Sequence, residues 1–533
     1  MKKFLLLKLF ARIISVFILT FRNMRGVIQY IVKCIFRFIG QAIFLPIKFI
    51  TYLKNIIFDY YRSRKKVTKR KEKDKDVELA GWKKIISKVC LKIKSLETKI
   101  YWAPKKIYNK TYWFARSNYE KMSWRWCHKK NKIIQNMCKN DYFDIFVIFL
   151  SSYLNGEELT LLLYDIDGVE HFCKKKYSRN KIRVVEEQKL RKVCIPEFYE
   201  KSAKEILEFQ SDKIYVAELE AVDIVGGSDV ILVQDTFLSD ALFKDKKHRL
   251  DLRYGAIRKV LKNSVLIEGV PFRDKIPKAI SLVGAASFNY YHLMVEILSR
   301  LTFVDKFEEY WNLPILVDQV VLDIPQFAEA LNYFNYKNHE ILVVEKNCKY
   351  QIENLVLPSH TVWMPINLKN RDDICPKDFL IAESVLHNIR NLVPLYEEKK
   401  PWRKIFISRK NTKAMRLQNE EKIRDIFEQN GFEIIYTEEM SFEEQVECFG
   451  QASCVVTSSG AALTNIIFCQ PGTRIGCIIP SYHRFYMYST IAYYLQLNPI
   501  FLDAEIVERT PYAAADVFVA NEEYVKRYAE KCK

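Results

Sequence analysis

In "NYYHLMVEILSRL" (Asn289–Leu301) an imidazole and a carboxylate stand four residues apart within an otherwise apolar run. At helical pitch Asn289, His292, Glu296, Ser299 and Arg300 fall within one stripe about 100° wide, and most other positions are apolar. A helix apolar on every side but one is mostly buried, so its polar stripe faces a wet cleft or is paired within itself. In a cleft, Glu296 and His292 can take a proton from a hydroxyl. Paired internally, the same two residues are a buried ion pair.

Two further stretches suit an anion. In "TSSGAALTNIIF" (Thr457–Phe468) an apolar strand ends in Ser458, Ser459 and Gly460 and passes straight into a helix. That turn presents free backbone N–H groups and a positive helix end, where α/β sheets bind phosphates. Gly460 allows close approach, and the hydroxyls of Ser458, Ser459 and Thr464 add donors. "ISRKNTKAMRLQNEE" (Ile407–Glu421) puts Arg409 and Lys410 at the end of a strand and Arg416 in the loop beyond it. Such guanidinium forks suit a diphosphate or a leaving group gaining negative charge. Taken alone, the first stretch is also an ordinary strand-to-helix turn and the second a solvated basic loop.

Other candidates are weaker. Asp165-Ile166-Asp167-Gly168 follows an apolar run, as the nucleophile strand of a phosphatase does, but a strand, an Asp-Gly turn and a returning strand explain it equally well. Asp372 and Asp373 lie in "KNRDDICPKD", with no apolar strand before them. The 13 cysteines form no C-x-x-C pair or zinc-like cluster, and several sit in apolar runs as small hydrophobes. No metal site is expected.

The elements that must position these groups are legible between 400 and 505. "KIFISRK", "FEIIYT", "SCVVTSS" and "TRIGCII" read as strands. Between them lie "NEEKIRDIFEQNG", with Asn419 as N-cap and Gly431 after its end, a helix opened by the Ser441/Glu444 capping box, and the short helix "GAALTNIIF". Strands alternating with helices over short connections make a doubly wound parallel sheet. A last helix, "NEEYVKRYAEKC", closes the chain. Between 215 and 400 strand-like and helix-like runs also alternate.

The 533 residues carry a net charge of +20, unevenly placed. Residues 1–140 hold 35 Lys and Arg against 7 Asp and Glu; the rest holds 49 against 57. In the first fifty residues Lys8, Arg12, Arg22, Lys33, Arg37 and Lys48 share one side of a helix otherwise rich in Phe, Ile, Leu and Val. That pattern suits an amphipathic helix lying on an anionic membrane. The longest charge-free run there, Phe38–Ile47, is too short for a spanning helix, which needs about 20 residues. Residues 1–140 are therefore expected to hold the protein peripherally on the cytoplasmic face of a membrane. Interleaved Lys, Trp and Tyr between 81 and 140 also suit nucleic acid, but no RNA-binding signature accompanies them, and no nucleic-acid partner is expected.

Together the stretches resemble the motifs of glycosyltransferase family 61, which includes capsular polysaccharide enzymes and eukaryotic O-linked N-acetylglucosamine and xylosyl transferases. The family pattern runs N-Y-Y-H-W-x-x-D-x-L-P-R-L, S-R-x(n)-R-x-x-N-E, S-F-x-E-Q and G-x-H-G-A-x-L-T-N-x-x-F. Here, in that order, stand "NYYHLMVEILSRL", "ISRKNTKAMRLQNEE", "SFEEQVECF" and "TSSGAALTNIIFCQPGT". The resemblance covers roughly 215–500. It implies an α/β fold of GT-B type, two Rossmann-like domains facing a cleft: 141–400 on the acceptor side and 401–533 binding the nucleotide sugar.

It also implies an inverting, metal-independent transfer with no cofactor, the nucleotide sugar, a UDP-sugar by expectation, being a co-substrate and a surface or capsular glycan the acceptor. Glu296 stands where the family has its Asp and is the expected base, with His292 orienting it or in reserve. Arg409, Lys410, Arg416, Ser458, Ser459, Gly460, Ala461, Thr464 and Asn465 are expected on the donor, and Asn289 and Arg300 on the acceptor side. Leu293, Ser299 and Ser459 depart from the family's Trp, Pro and His. The last departure matters most, since a serine cannot donate a proton to a diphosphate as an imidazolium can. A catalytically silent relative, acting as a membrane-bound assembly partner, is the alternative.

Overall fold

Arg474–Ile479 buries every residue but the first, as a strand flanked on both faces must. It lies inside a seven-stranded sheet whose main path runs Glu433–Ile435, Arg403–Ile407, Ala452–Ser458, Arg474–Ile479, Asn498–Glu508, Val517–Ala520. The first five are mutually parallel and the last is antiparallel. The expected alternation is present: Glu420–Gln429 and Phe442–Gly450 are helices between these strands. The capping box forms, with Ser441 N donating to Glu444 Oε2 at 2.7 Å and Glu444 N to Ser441 Oγ at 3.1 Å. Gly431 ends its helix at φ +78°, a left-handed position that glycine occupies without strain. The expected short helix is present over Ala461–Phe468 and is of 3₁₀ type. Asn419 does not cap its helix with its side chain; its amide instead exchanges two hydrogen bonds with the backbone of Ala520.

This computed structural model describes residues 161–532 apart from 178–180, 363, 366, 395–399, 410–415 and 511–512. The basic amphipathic region expected over 1–140, and Lys410, lie outside the described residues. Among the described residues no helix is long and apolar enough to cross a membrane.

The other large sheet has eleven strands and is mixed. Ile341–Val344, Ile315–Asp318, Phe272–Ser281 and Lys349–Pro358 are parallel neighbours. Beyond them Ile214–Val225 enters antiparallel and continues into Ile231–Val233. A wholly parallel, Rossmann-like first half is therefore not what forms. The turn at Gly226-Gly227-Ser228-Asp229 sends the chain straight back along its neighbour, so no crossover helix is needed.

Around residue 200 the chain leaves its own half. Leu190–Ile195 pairs with Glu205–Gln210, and Cys194 receives a bond from Ser489 Oγ at 2.5 Å and gives one to Thr490 Oγ1 at 3.1 Å. Between these strands Glu197–Phe198 joins the edge of the seven-stranded sheet beside Ile500 and Phe501. One apolar core runs from Val193, Ile280 and Leu293 to Val455, Ile475 and Phe501, and residues 160–533 form one compact unit.

The weaker acidic candidates fall apart. Leu161–Asp167 is a strand, but Gly168 leads into the helix Val169–Lys176 and not into a returning strand. Asp167 caps Gly168 N at 2.8 Å and meets His171 Nδ1 at 2.6 Å. Asp372 bonds Tyr482 and Arg509. Among the described residues no three His, Cys, Asp or Glu side chains gather as a metal site would require.

Candidate functional site

The strand Phe272–Ser281 runs into a tight loop, and Asn289 starts the polar-striped segment by accepting from Tyr291 N at 3.0 Å. That segment is not one α-helix. His292–Ile297 is a π-helical turn, Leu298–Arg300 is 3₁₀, and Leu301–Val304 is α. π-turns are frequent at functional sites. The expected burial holds, since every residue from Tyr291 to Arg300 is buried. His292 Nδ1 lies 2.8 Å from Glu296 Oε2, and Met364 N donates to Glu296 Oε1 at 2.9 Å.

Glu296 and Arg300 line a small cavity of ≈ 20 Å³ together with Asp229, His360 and Met364. That volume has room for about one water. Arg300 donates to the carbonyls of Ile297 and Val283, both at 3.3 Å. Burial draws its pKa down to about 10, against the pull of Asp229, Glu296 and Asp318. Asp318, at the end of its strand, accepts from Gly227 N at 2.7 Å, Gly284 N at 3.0 Å and the Ser287 hydroxyl. Burial raises the carboxyls of Asp229 and Asp318 above the ordinary range. Arg300, expected on the acceptor side, is 4% exposed and forms part of the cavity wall.

His292 is held above its ordinary pKa. Burial works against the imidazolium, but the charge and hydrogen bond of Glu296, with Asp229 behind, outweigh it. A raised folded pKa stabilises the fold below the unfolded value near 6.5, and that contribution is lost as pH climbs through the folded value. Thermal melts from pH 6 upward should therefore fall more steeply for the wild type than for His292→Asn; matching slopes would show that the pair does not titrate in this way.

The second cluster sits where Arg403–Ile407 and its neighbour Ala452–Ser458 end. Glu420 Oε1 accepts from Ser408 Oγ at 2.8 Å and from Arg409 N at 2.6 Å, fixing the backbone from which Arg409 projects. Arg409 Nη1 reaches Ser459 O at 3.4 Å, Arg416 Nη2 donates to the same carbonyl, and Arg416 Nη1 donates to Ala514 O at 2.7 Å. Burial lowers both guanidinium pKa values, that of Arg416 to about 10 with the charge of Arg409 adding to the effect. Two cations thus face one carbonyl, with the charges of Glu420 and Glu438 acting on Arg409 and that of Asp516 on Arg416. Ser458 Oγ is buried without a hydrogen-bond partner. Ala461, half-buried, begins the 3₁₀-helix, and Thr464 is buried within it.

Asn465 is a correction. Expected on the donor, it is fully buried and both ends of its amide are used: Tyr290 OH donates to Oδ1 at 2.6 Å and Nδ2 donates to Gln445 Oε1 at 2.7 Å. Gln445 in turn donates to Thr437 O at 3.0 Å. Tyr291 packs edge-on against Tyr488, ring centroids 6.1 Å apart, and Tyr488 OH donates to Gly460 O at 2.7 Å. Tyr290 and Tyr291 therefore tie the segment holding His292 and Glu296 to the turn at Gly460. Asp229, Asp318, His360, Glu420 and Tyr488 were not singled out from sequence. Asp318, a lone charge closing the apolar run "PILVD", was the one with a readable signal.

The His292–Glu296 pair beside a small cavity is thus joined to the Gly460 turn of this α/β protein, by the Tyr290–Asn465 bond and the Tyr291–Tyr488 ring contact, and at that turn two buried arginines meet one carbonyl. Residues 290–476 match the family model described as Glycosyltransferase 61, and the chain thus carries a glycosyltransferase family 61 domain. None of the curated proteins matches the chain.

Proposed function

We propose that this protein moves a sugar from a nucleotide-sugar donor, a UDP-sugar by preference, onto a hydroxyl of a glycan acceptor, with inversion and without a metal. The observation that carries the reading is the convergence of Arg409 and Arg416 on Ser459 O, both lowered by burial. Two guanidinium groups brought to one point suit a departing diphosphate, and holding it lowers the barrier to leaving. Glu296 takes the proton of the attacking hydroxyl, and His292, bonded to it at 2.8 Å, orients the carboxylate. The two sheets act as the facing halves of a GT-B enzyme, acceptor side first. Residues 1–140 hold the protein on the cytoplasmic face of an anionic membrane, where a surface or capsular glycan on a lipid carrier is within reach.

One observation favours a second reading. Both oxygens of Glu296 are already bonded and the residue is 6% exposed, as in a silent relative that serves as an assembly partner. Calorimetry of the full chain against a panel of nucleotide sugars, with anionic and neutral vesicles present, separates the two. Donor binding with slow release of nucleoside diphosphate is expected. Binding without turnover would favour the silent relative, and no binding at all would end both the enzyme reading and the donor cradle.

A further inference from the structure

Beyond the strand Arg474–Ile479 the chain forms a short 3₁₀ turn, Ser481–His483, and Tyr482 stands on it nearly half exposed. This strand neighbours Ala452–Ser458 in parallel, Ile478 beside Ser458, so Tyr482 lies past the same edge of the sheet as Ser459 and Gly460. The loop beneath it is rigid. Ser481 N donates to Asp503 Oδ1 at 2.8 Å. His483 Nε2 lies 3.0 Å from Asp516 Oδ2, and Asp516 also accepts both terminal nitrogens of Arg371, at 2.9 and 2.5 Å. Asp516 is fully buried. Two residues before it, Ala514 O accepts from Arg416. A continuous bonded wall thus leads from Ser459 through Arg416 and the Ala514–Asp516 loop to His483 and Tyr482.

At the far end of that wall the side chains are locked yet open to solvent. Tyr482 OH donates to Asp372 Oδ1 at 2.8 Å, and Arg509 Nη2 reaches Asp372 Oδ1 at 2.7 Å and Tyr482 OH at 2.9 Å. The guanidinium lies 5.0 Å from the Tyr482 ring centroid. Exposed long side chains ordinarily keep their rotamer freedom, since one surface ion pair does little to offset its loss. Here three groups on three separate segments fix one another and hold an aromatic ring in place. A guanidinium has five N–H donors, and the bonds named use only Nη2, which leaves donors for ring carbonyls.

We propose that Tyr482, with Arg509 and Asp372, forms the subsite for the base of the donor nucleotide, the base stacking on the Tyr482 ring while the diphosphate lies in the arginine cradle. The proposal rests on the donor reading above and assigns the part of the donor that the cradle leaves unaccounted for. A stacked base contributes about 5- to 100-fold in affinity and tolerates different ring systems.

The test is calorimetry of the full chain with UDP, CDP, ADP and GDP beside ribose 5-diphosphate, which has no base. The wild type should bind at least one nucleoside diphosphate about tenfold or more tighter than ribose 5-diphosphate. Tyr482→Leu should erase that difference and leave the affinity for ribose 5-diphosphate unchanged. Tyr482→Phe, which keeps the ring and loses the hydroxyl's bonds to Asp372 and Arg509, should retain most of it; loss of the advantage in a folded Tyr482→Phe would overturn stacking on the ring should the leucine variant not fold. No advantage of base over bare ribose in the wild type, or an advantage that survives in Tyr482→Leu, overturns the subsite. Base-independent binding of every diphosphate would leave the cradle standing, whereas failure of all of them to bind removes the donor reading and the subsite together.

Discussion

Glu296→Gln should lower sugar transfer by about 10²- to 10⁴-fold while donor affinity stays within about twofold. The substitution is nearly isosteric, and the polar contacts decide what survives. The amide oxygen can still accept from Met364 N, the bond that now measures 2.9 Å. The amide nitrogen can donate to a neutral His292 Nδ1, so the pair persists with its hydrogen bond reversed. What disappears is the capacity to take a proton and the negative charge that keeps His292 above its ordinary pKa. The fold and the arginine cradle are untouched. The measurement is transfer rate beside nucleoside diphosphate affinity and the melting curve of the same preparation. Transfer within a few-fold of wild type, in a folded variant, would place the base elsewhere.

Gly460→Ala should weaken nucleoside diphosphate binding by roughly 10- to 100-fold, about the worth of one hydrogen bond to a charged group, with little change in melting temperature. The two effects separate because of where the methyl would go. Gly460 has φ 178° and ψ 166°, an extended backbone open to any residue, so alanine adds no strain. Its Cβ would stand 1.5 Å from Arg409 Nη1 and 2.8 Å from Cζ, yet 3.5 Å from Arg416 Nη2. The atom displaced is the tip of a flexible side chain and moves at small cost. Arg409 must therefore abandon Ser459 O while Arg416 stays, and the cradle keeps one fork of two. Unchanged affinity would mean that Arg409 has no part in holding the donor. A large loss of stability would mean that its position is a packing requirement.

Where local chemistry sets the structure, the sequence was legible. The Ser441/Glu444 box, Gly431 and the strand–helix alternation beyond residue 400 each depend on neighbours within a few positions, and each stands where the spacing put it. The pairing of His292 with Glu296 was legible for the same reason, although the helical type was not, because π and α turns both bring residues four apart within reach. The mixed first sheet and the excursion around 197 were not legible. Both are set by strand partners some 130 to 300 residues away, and a short apolar run does not state which neighbour it will take. Asn465 shows the same limit at the site. Its place in the motif suggested a ligand contact, but its amide is spent on Gln445 and on Tyr290, which lies 175 residues away.

The strand Glu197–Phe198 gives this architecture an order of assembly. It completes the edge at Ile500 and Phe501 although it is made roughly 300 residues earlier, and Tyr524 OH donates to the carbonyl of Tyr199 beside it. During synthesis, then, an edge strand of the seven-stranded sheet emerges long before the sheet exists, and it waits for nearly the whole chain to be made. Cutting the polypeptide near residue 400 would separate the seven-stranded sheet from this strand. It would leave that sheet with an unpaired edge and a final helix missing part of its seat. The two sheets are therefore completed together, even though each has its own set of strands.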